Sequence, residues 1–137
     1  MKEKVQPFFL DTSQSEVYNA SQKEVFIVRV DKELSKGSHE LIILKLLSRG
    51  DMYGYQIVQQ MSLLSDKAFE MGQGSLYPYL HRLEQEGYLT SYSVPENGRE
   101  RLYYHLTEKG QVALADKEAR WEHYVHAMGQ ILKGCDA

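Results

Sequence analysis

The tetrapeptide Pro95-Glu96-Asn97-Gly98, set between Tyr88–Val94 and Arg99–Leu106, constrains this chain more than any other feature. Both flanking runs are rich in β-branched and aromatic residues, and Asn-Gly tolerates the positive φ angles that a two-residue hairpin turn demands. A β-hairpin is expected here. Almost everything around it has a helical period instead.

Upstream, Ser38 can cap a helix carrying Leu41, Ile42, Leu44, Leu46 and Leu47, which should stop at Gly50 because glycine accepts the left-handed terminal conformation. A second helix is expected after Asp51 and through Leu64, with Ile57, Met61 and Leu64 recurring on one face. Ser65 to Gly74 reads as a connector in which Ala68–Met71 can form one short strand. Ser75 then caps a third helix with an inward Leu76, Leu80, Leu83 stripe, ended by Gly87; Pro78 is tolerated in the first turn, whose amides lack intrahelical acceptors. A fourth helix follows Thr107 and keeps Trp121, Tyr124, Val125, Met128, Ile131 and Leu132 on the helical period. The fold class is therefore mainly α with a small β-hairpin. Three short helices before a hairpin form the winged helix-turn-helix arrangement, whose third helix enters the DNA major groove while the wing lies over flanking backbone.

Three segments are expected: an amino-terminal arm (1–32), the winged helix-turn-helix (33–107) and a carboxy-terminal dimerisation helix (108–137). The arm holds two strand-like pieces, Val5–Leu10 and Glu24–Val30, too short to bury their own apolar faces, so Phe8, Phe9, Phe26 and Val28 should dock on the domain or on a partner subunit.

A chain of 137 residues suits one domain, and its 42% apolar and 26% charged content places it among soluble globular proteins. The net charge of −3 excludes a polycation, so nucleic-acid binding must use a local patch. From Leu34 to Thr107 there are seven Lys/Arg and eight Asp/Glu, a net of −1, so affinity must come from charge placement and dimerisation. Cys135 stands alone, which excludes an intramolecular disulfide framework and fits a reducing cytosol. The longest apolar runs, Val25–Val28 and Leu41–Leu44, fall far below the roughly 20 residues of a membrane span, and no signal-peptide core is present. A cytoplasmic protein with no membrane partner is expected.

Beyond pattern, Tyr53-Gly54-Tyr55-Gln56-Ile57, then Gly74-Ser75-Leu76-Tyr77-Pro78-Tyr79-Leu80-His81-Arg82-Leu83-Glu84-Gln85-Glu86-Gly87, then Tyr103-Tyr104-His105-Leu106-Thr107-Glu108-Lys109-Gly110 closely resemble the PadR family of bacterial transcriptional regulators. The resemblance covers about Glu33 to Lys133, and the single long terminal helix resembles the short branch of the family. It implies a homodimeric repressor that binds an inverted-repeat operator and releases it when a small molecule binds. The family's second-helix motif usually reads His-Gly-Tyr; Tyr53 replaces that histidine here.

On the third helix, turning the leucines inward leaves Pro78, His81, Arg82 and Gln85 facing out, with Tyr77 flanking. Recognition helices lead with their first residues, so Ser75, Tyr77, Pro78 and His81 weigh most as contacts to double-stranded DNA; the resemblance adds Tyr53 and Tyr55 of the second-helix motif as DNA-binding candidates. Arg82 reads equally as a DNA contact or as the i,i+4 partner of Glu86. Arg99 and Arg101 share one face of the hairpin while Leu102, Tyr104 and Leu106 take the other. They are expected on phosphates or a narrow minor groove; the alternative is a charged hairpin in which Glu96 and Glu100 neutralise both. Lys36, Lys45 and Arg49 are lesser candidates.

The Trp121, Tyr124, Val125, Met128 seam exceeds what one small domain needs and is expected to form the dimer. Trp121 serves as an interface anchor or, as the resemblance implies, stacks on a flat apolar effector. No phosphate loop, Gly-x-Ser-x-Gly or His-Glu-x-x-His occurs, so no catalytic residue and no cofactor is expected. Two alternatives differ in class: a winged helix used for protein contacts, and a metal-responsive regulator using His123 and His126, which sit at i and i+3. Two histidines are a thin ligand set, so no metal site is expected.

Overall fold

The computed structural model describes residues 29–35 and 37–136. Of the strand-like pieces expected in the arm, Val5–Leu10 and residues 24–28, with Phe8, Phe9, Phe26 and Val28, lie outside the described residues, as does Lys36; Arg29 and Val30 are described and are not in a strand. Elements run in the order α1 (Lys32–Ser35), α2 (His39–Leu47), β1 (Met52–Tyr53), α3 (Gly54–Leu64), α4 (Gln73–Gln85), β2 (Leu89–Glu96), β3 (Arg99–Leu106) and α5 (Glu108–Asp136).

Helices α2, α3 and α4 and one sheet face enclose the core, which α5 joins through Leu114. Ile43 and Leu44 of α2, Ile57 of α3, and Leu76, Leu80 and Leu83 of α4 are fully buried, and Leu89, Tyr104 and Leu106 close the core from the sheet. The i, i+4, i+7 spacing of the α4 leucines makes this unavoidable once the helix forms, because all three point to one side. The hairpin is tight: Glu96 pairs with Arg99 across a two-residue turn whose Asn97 and Gly98 have φ of 50° and 78°. Turns with positive φ at both positions match the twist of the strands, which is why Asn-Gly sets the register here.

Several expectations require correction. The sheet has three strands in the order β1-β3-β2, since Met52 and Tyr53 pair antiparallel with Tyr104 and Tyr103. The second helix consequently begins at Gly54 rather than just after Asp51. Leu64, expected on the same buried face as Ile57 and Met61, is 63% exposed. Ala68–Met71 is not a strand. Asp66 and Lys67 both take positive φ and reverse the chain around Ser65, whose hydroxyl accepts the Phe69 N–H at 2.9 Å and donates to the Met61 carbonyl at 2.7 Å. Ser75 does not cap α4; Gly72 does, and Ser75 lies inside the first turn. Ser38 stands at the N-cap of α2, but its hydroxyl donates back to the Ser35 carbonyl at 2.7 Å because α1 has just ended there.

α5 leaves the domain along α2. Thr107 fastens its start: the Gly110 N–H donates to Thr107 Oγ1 at 3.0 Å, and that hydroxyl donates to the Gly87 carbonyl at 2.7 Å. Lys45 and Lys117 pair with Glu118 and Glu40, at 2.9 and 3.5 Å, across the α2–α5 seam. Past Leu114, which is 7% exposed, no residue of α5 is buried.

Candidate nucleic-acid interface

With its leucines buried, α4 presents Ser75, Tyr77, Pro78, His81, Arg82 and Gln85 to solvent, all of them exposed. Because the helix begins at Gln73, its exposed first turn also holds Gln73 and Gly74, which sequence reasoning missed. Glycine at the N-cap, Gly72, is the available signal, and it is weaker than the serine three residues later. Arg82 Nε lies 2.7 Å from Glu40 Oε2, and its guanidinium stands 5.3 Å from the Tyr79 ring centre. The ion pair therefore crosses to α2 instead of running along the helix to Glu86. The hydrogen bond to Glu40 raises the guanidinium's affinity for its proton. Through Oε1 the same Glu40 reaches Lys117, so one carboxylate joins the outward helix to α5.

On the wing, Arg99 and Arg101 emerge on one face, opposite Glu96 and Val94 respectively. Their states differ. Arg101 is folded back, its Nε 2.8 Å from Glu96 Oε1 and its guanidinium 4.4 Å from the Tyr53 ring centre. Arg99 is exposed and has no carboxylate within ion-pair distance among the described residues. Glu96 thus neutralises one arginine of the two. Tyr53 is half-buried, edge-on to Tyr103 at 5.4 Å, and serves the sheet face. Tyr55, on the first turn of α3, is 50% exposed and free to reach outward.

The root of the wing is tied to the loop before β1. The Tyr92 hydroxyl donates to Asp51 Oδ2 at 2.6 Å, and His105 Nδ1 lies 2.8 Å from Oδ1 of the same carboxylate. The Tyr92 hydrogen bond, then His105, hold the Asp51 carboxyl below the usual carboxylate range despite some opposing desolvation. His39, packed against Tyr79 and Phe69, has its proton affinity lowered by burial.

Along α5, Trp121, Tyr124, Val125 and Met128 are all exposed, as are Ile131 and Leu132. Trp121 borders two hollows. One, of about 420 Å³, is lined by Leu34, Leu41, Lys117, Arg120 and Tyr124 among others; a second, of about 290 Å³, lies between Leu41, Ile42, Leu46 and Leu64. The exposed Leu64 is thus a wall of a surface hollow. His123 and His126 are exposed, and no group of three potential metal ligands occurs among the described residues. No helix among them is long and apolar enough to cross a membrane.

A helix with a polar, outward amino-terminal half beside a two-stranded wing tipped by an exposed arginine defines a winged-helix DNA-binding protein. The family model for the transcriptional regulator PadR-like family matches residues 43–116, and the chain belongs to that family. It is a family of DNA-binding regulators, not enzymes, and its members are commonly dimeric. A transcriptional regulator of Mycobacterium tuberculosis is 33% identical over 85 residues, spanning 62% of this chain and 77% of that one. The structure of a transcriptional regulator from Clostridium thermocellum superposes with a TM-score of 0.67 at 32% identity, covering 72% of this chain and 96% of that one. A PadR family transcriptional regulator from Eggerthella lenta gives 0.64 at 32% identity, covering 73% and 86%.

Proposed function

We propose that this transcriptional regulator is a cytoplasmic homodimeric repressor that binds an inverted-repeat operator and responds to a flat, largely apolar effector. The observation that carries the reading is the apolar seam of α5, where Trp121, Tyr124, Val125 and Met128 stand 39–54% exposed in the isolated chain. Such a surface on a terminal helix calls for a partner, and a second copy of the same helix pairs like with like. Two copies would present two α4 helices, each to one half-site, and a two-fold protein reads a two-fold operator.

In each half-site, Ser75, Tyr77, Pro78 and His81 are assigned to the major groove, with Tyr55 on the adjoining backbone and Arg99 on flanking phosphate. Arg82, Arg101 and Tyr53 are assigned supporting roles, since each is engaged by a neighbour in the free protein. The chain divides accordingly into arm (1–32), DNA-binding domain (33–107) and dimerisation helix (108–137).

The effector site is assigned to Trp121, between the two hollows. A ligand there induces only if it prefers a dimer whose α4 helices no longer match the half-site spacing, because equal affinity for both states shifts nothing. Lys117 lines one hollow and pairs with Glu40, which also holds Arg82, so a displacement at the seam has a short route to α4. Footprinting the purified protein on DNA upstream of its own gene tests the whole reading. Protection of an inverted repeat is expected, and no protection there would count against it.

A further inference from the structure

Gly54 is the buried first residue of α3, set between the two exposed or half-buried tyrosines of its motif. A Cβ built there would lie 3.0 Å from Tyr77 Oη, 3.4 Å from Tyr77 Cζ and 3.5 Å from Gln73 Oε1. All three atoms belong to side chains of α4's amino-terminal half, and none is backbone. The Tyr77 ring end therefore rests on the bare backbone of α3's first turn. That turn is itself pinned, since the Tyr53 N–H donates to Gln56 Oε1 at 3.1 Å. Glycine is a poorer helix former than alanine, so nothing in α3 itself asks for it.

We infer that Gly54 is a positioning residue for DNA recognition: by lacking a Cβ it seats the Tyr77 ring and fixes where that hydroxyl meets the operator. The inference rests on the reading that α4 enters the groove. An alanine at 54 requires the tyrosine hydroxyl to retreat by a few tenths of an ångström. Tyr77 is 38% exposed, so it has open solvent to swing into, and the core need not move. Folding and recognition thus separate, because the methyl group helps the helix while displacing the contact.

The test is a double-mutant cycle with Gly54→Ala and Tyr77→Phe, measured by fluorescence anisotropy on a duplex taken from immediately upstream of the gene, at fixed salt. Gly54→Ala is expected to weaken binding of the dimer roughly thirtyfold, the scale of two hydrogen bonds lost, one in each half-site. Its thermal midpoint should equal or exceed that of the wild type. In the Tyr77→Phe background the hydroxyl that the new methyl meets is gone, and the Gly54→Ala step should cost less than about twofold. Tyr77 ring proton resonances, read by NMR without DNA, should shift in Gly54→Ala. Unchanged affinity, unmoved Tyr77 resonances, or a loss of affinity that tracks a lowered midpoint would each overturn the inference. Failure of the wild type itself to bind the duplex would instead overturn the operator reading on which it stands.

Discussion

Adding one methyl group at Gly110 should damage this protein more than its size implies. A Cβ there would lie 2.2 Å from the Tyr88 carbonyl oxygen, 2.6 Å from Leu106 Cδ1 and 3.1 Å from the Tyr88 carbonyl carbon. Two of these atoms are backbone, so α5 must shift by about 1 Å against the α4–β2 junction to reach ordinary contact. Overpacking of this kind costs about 3 kcal/mol at the upper end of its usual range. The shift also strains the Gly110 N–H bond to Thr107 Oγ1 and the Thr107 N–H bond to the Tyr88 carbonyl, at 3.0 and 3.1 Å, for about 1 kcal/mol more. Alanine returns about 1 kcal/mol through helix propensity. The net is a loss of about 3 kcal/mol, or roughly 10 °C in thermal midpoint for a chain of this size. Circular dichroism during thermal and denaturant unfolding measures it, at one protein concentration because the stability of a self-associating protein depends on concentration. Gly134→Ala is the control: it lies on the same helix with nothing within 4 Å of its Cβ position, and should leave stability unchanged or slightly raised. A Gly110→Ala protein within about 0.5 kcal/mol of wild type would refute the close approach of α5 to Tyr88.

Arg99→Ala should weaken operator binding and, because a dimer loses one phosphate contact per half-site, reduce the slope of log affinity against log salt by about 1.8, with folding intact; an unchanged slope would remove the wing from the phosphates. Tyr124→Glu with Met128→Glu should yield monomers by placing unpaired charge in an apolar seam, and sedimentation showing a stable dimer would move the interface elsewhere. Trp121 is the only tryptophan, so a planar dye stacked on it should quench emission and lower DNA affinity together; unchanged dye binding in Trp121→Ala would reduce it to an interface anchor. Because Tyr92 and His105 hold the Asp51 carboxyl below its ordinary 3.8, the stability it contributes is present above that value and lost as pH falls through the lowered one. Asp51→Asn should therefore flatten the acid limb of midpoint against pH, and a limb identical to wild type would refute the clamp at the wing's root.

The features legible in the sequence are those whose cause is local. Asn97-Gly98 reads as a turn because two adjacent residues must accept positive φ, and the hairpin register follows from it. Leu76, Leu80 and Leu83 read as one buried face because helical geometry alone puts them there, and what faces outward on α4 follows by subtraction. The apolar seam of α5 reads from its helical period in the same way, whereas the family motifs were legible only as a resemblance.

What only the tertiary structure decided depends on residues far apart in the chain. β1 is two residues long, too short for any period, and exists because Tyr103 and Tyr104, about 50 positions on, offer it a ladder. Arg82 had a charge-matched neighbour one turn away in Glu86, yet it pairs with Glu40, 42 residues earlier, because packing α4 on α2 brings that carboxylate within reach. Alternation put Arg99 and Arg101 on one face but could not divide them; Tyr53 and Glu96 engage one and leave the other open. Leu64 keeps the helical period and still faces solvent, because no element among the described residues covers that end of α3. Turns and helix faces are set within a few residues, whereas the partner of a short strand or of a side chain is set by which elements meet, and only the folded chain contains that information.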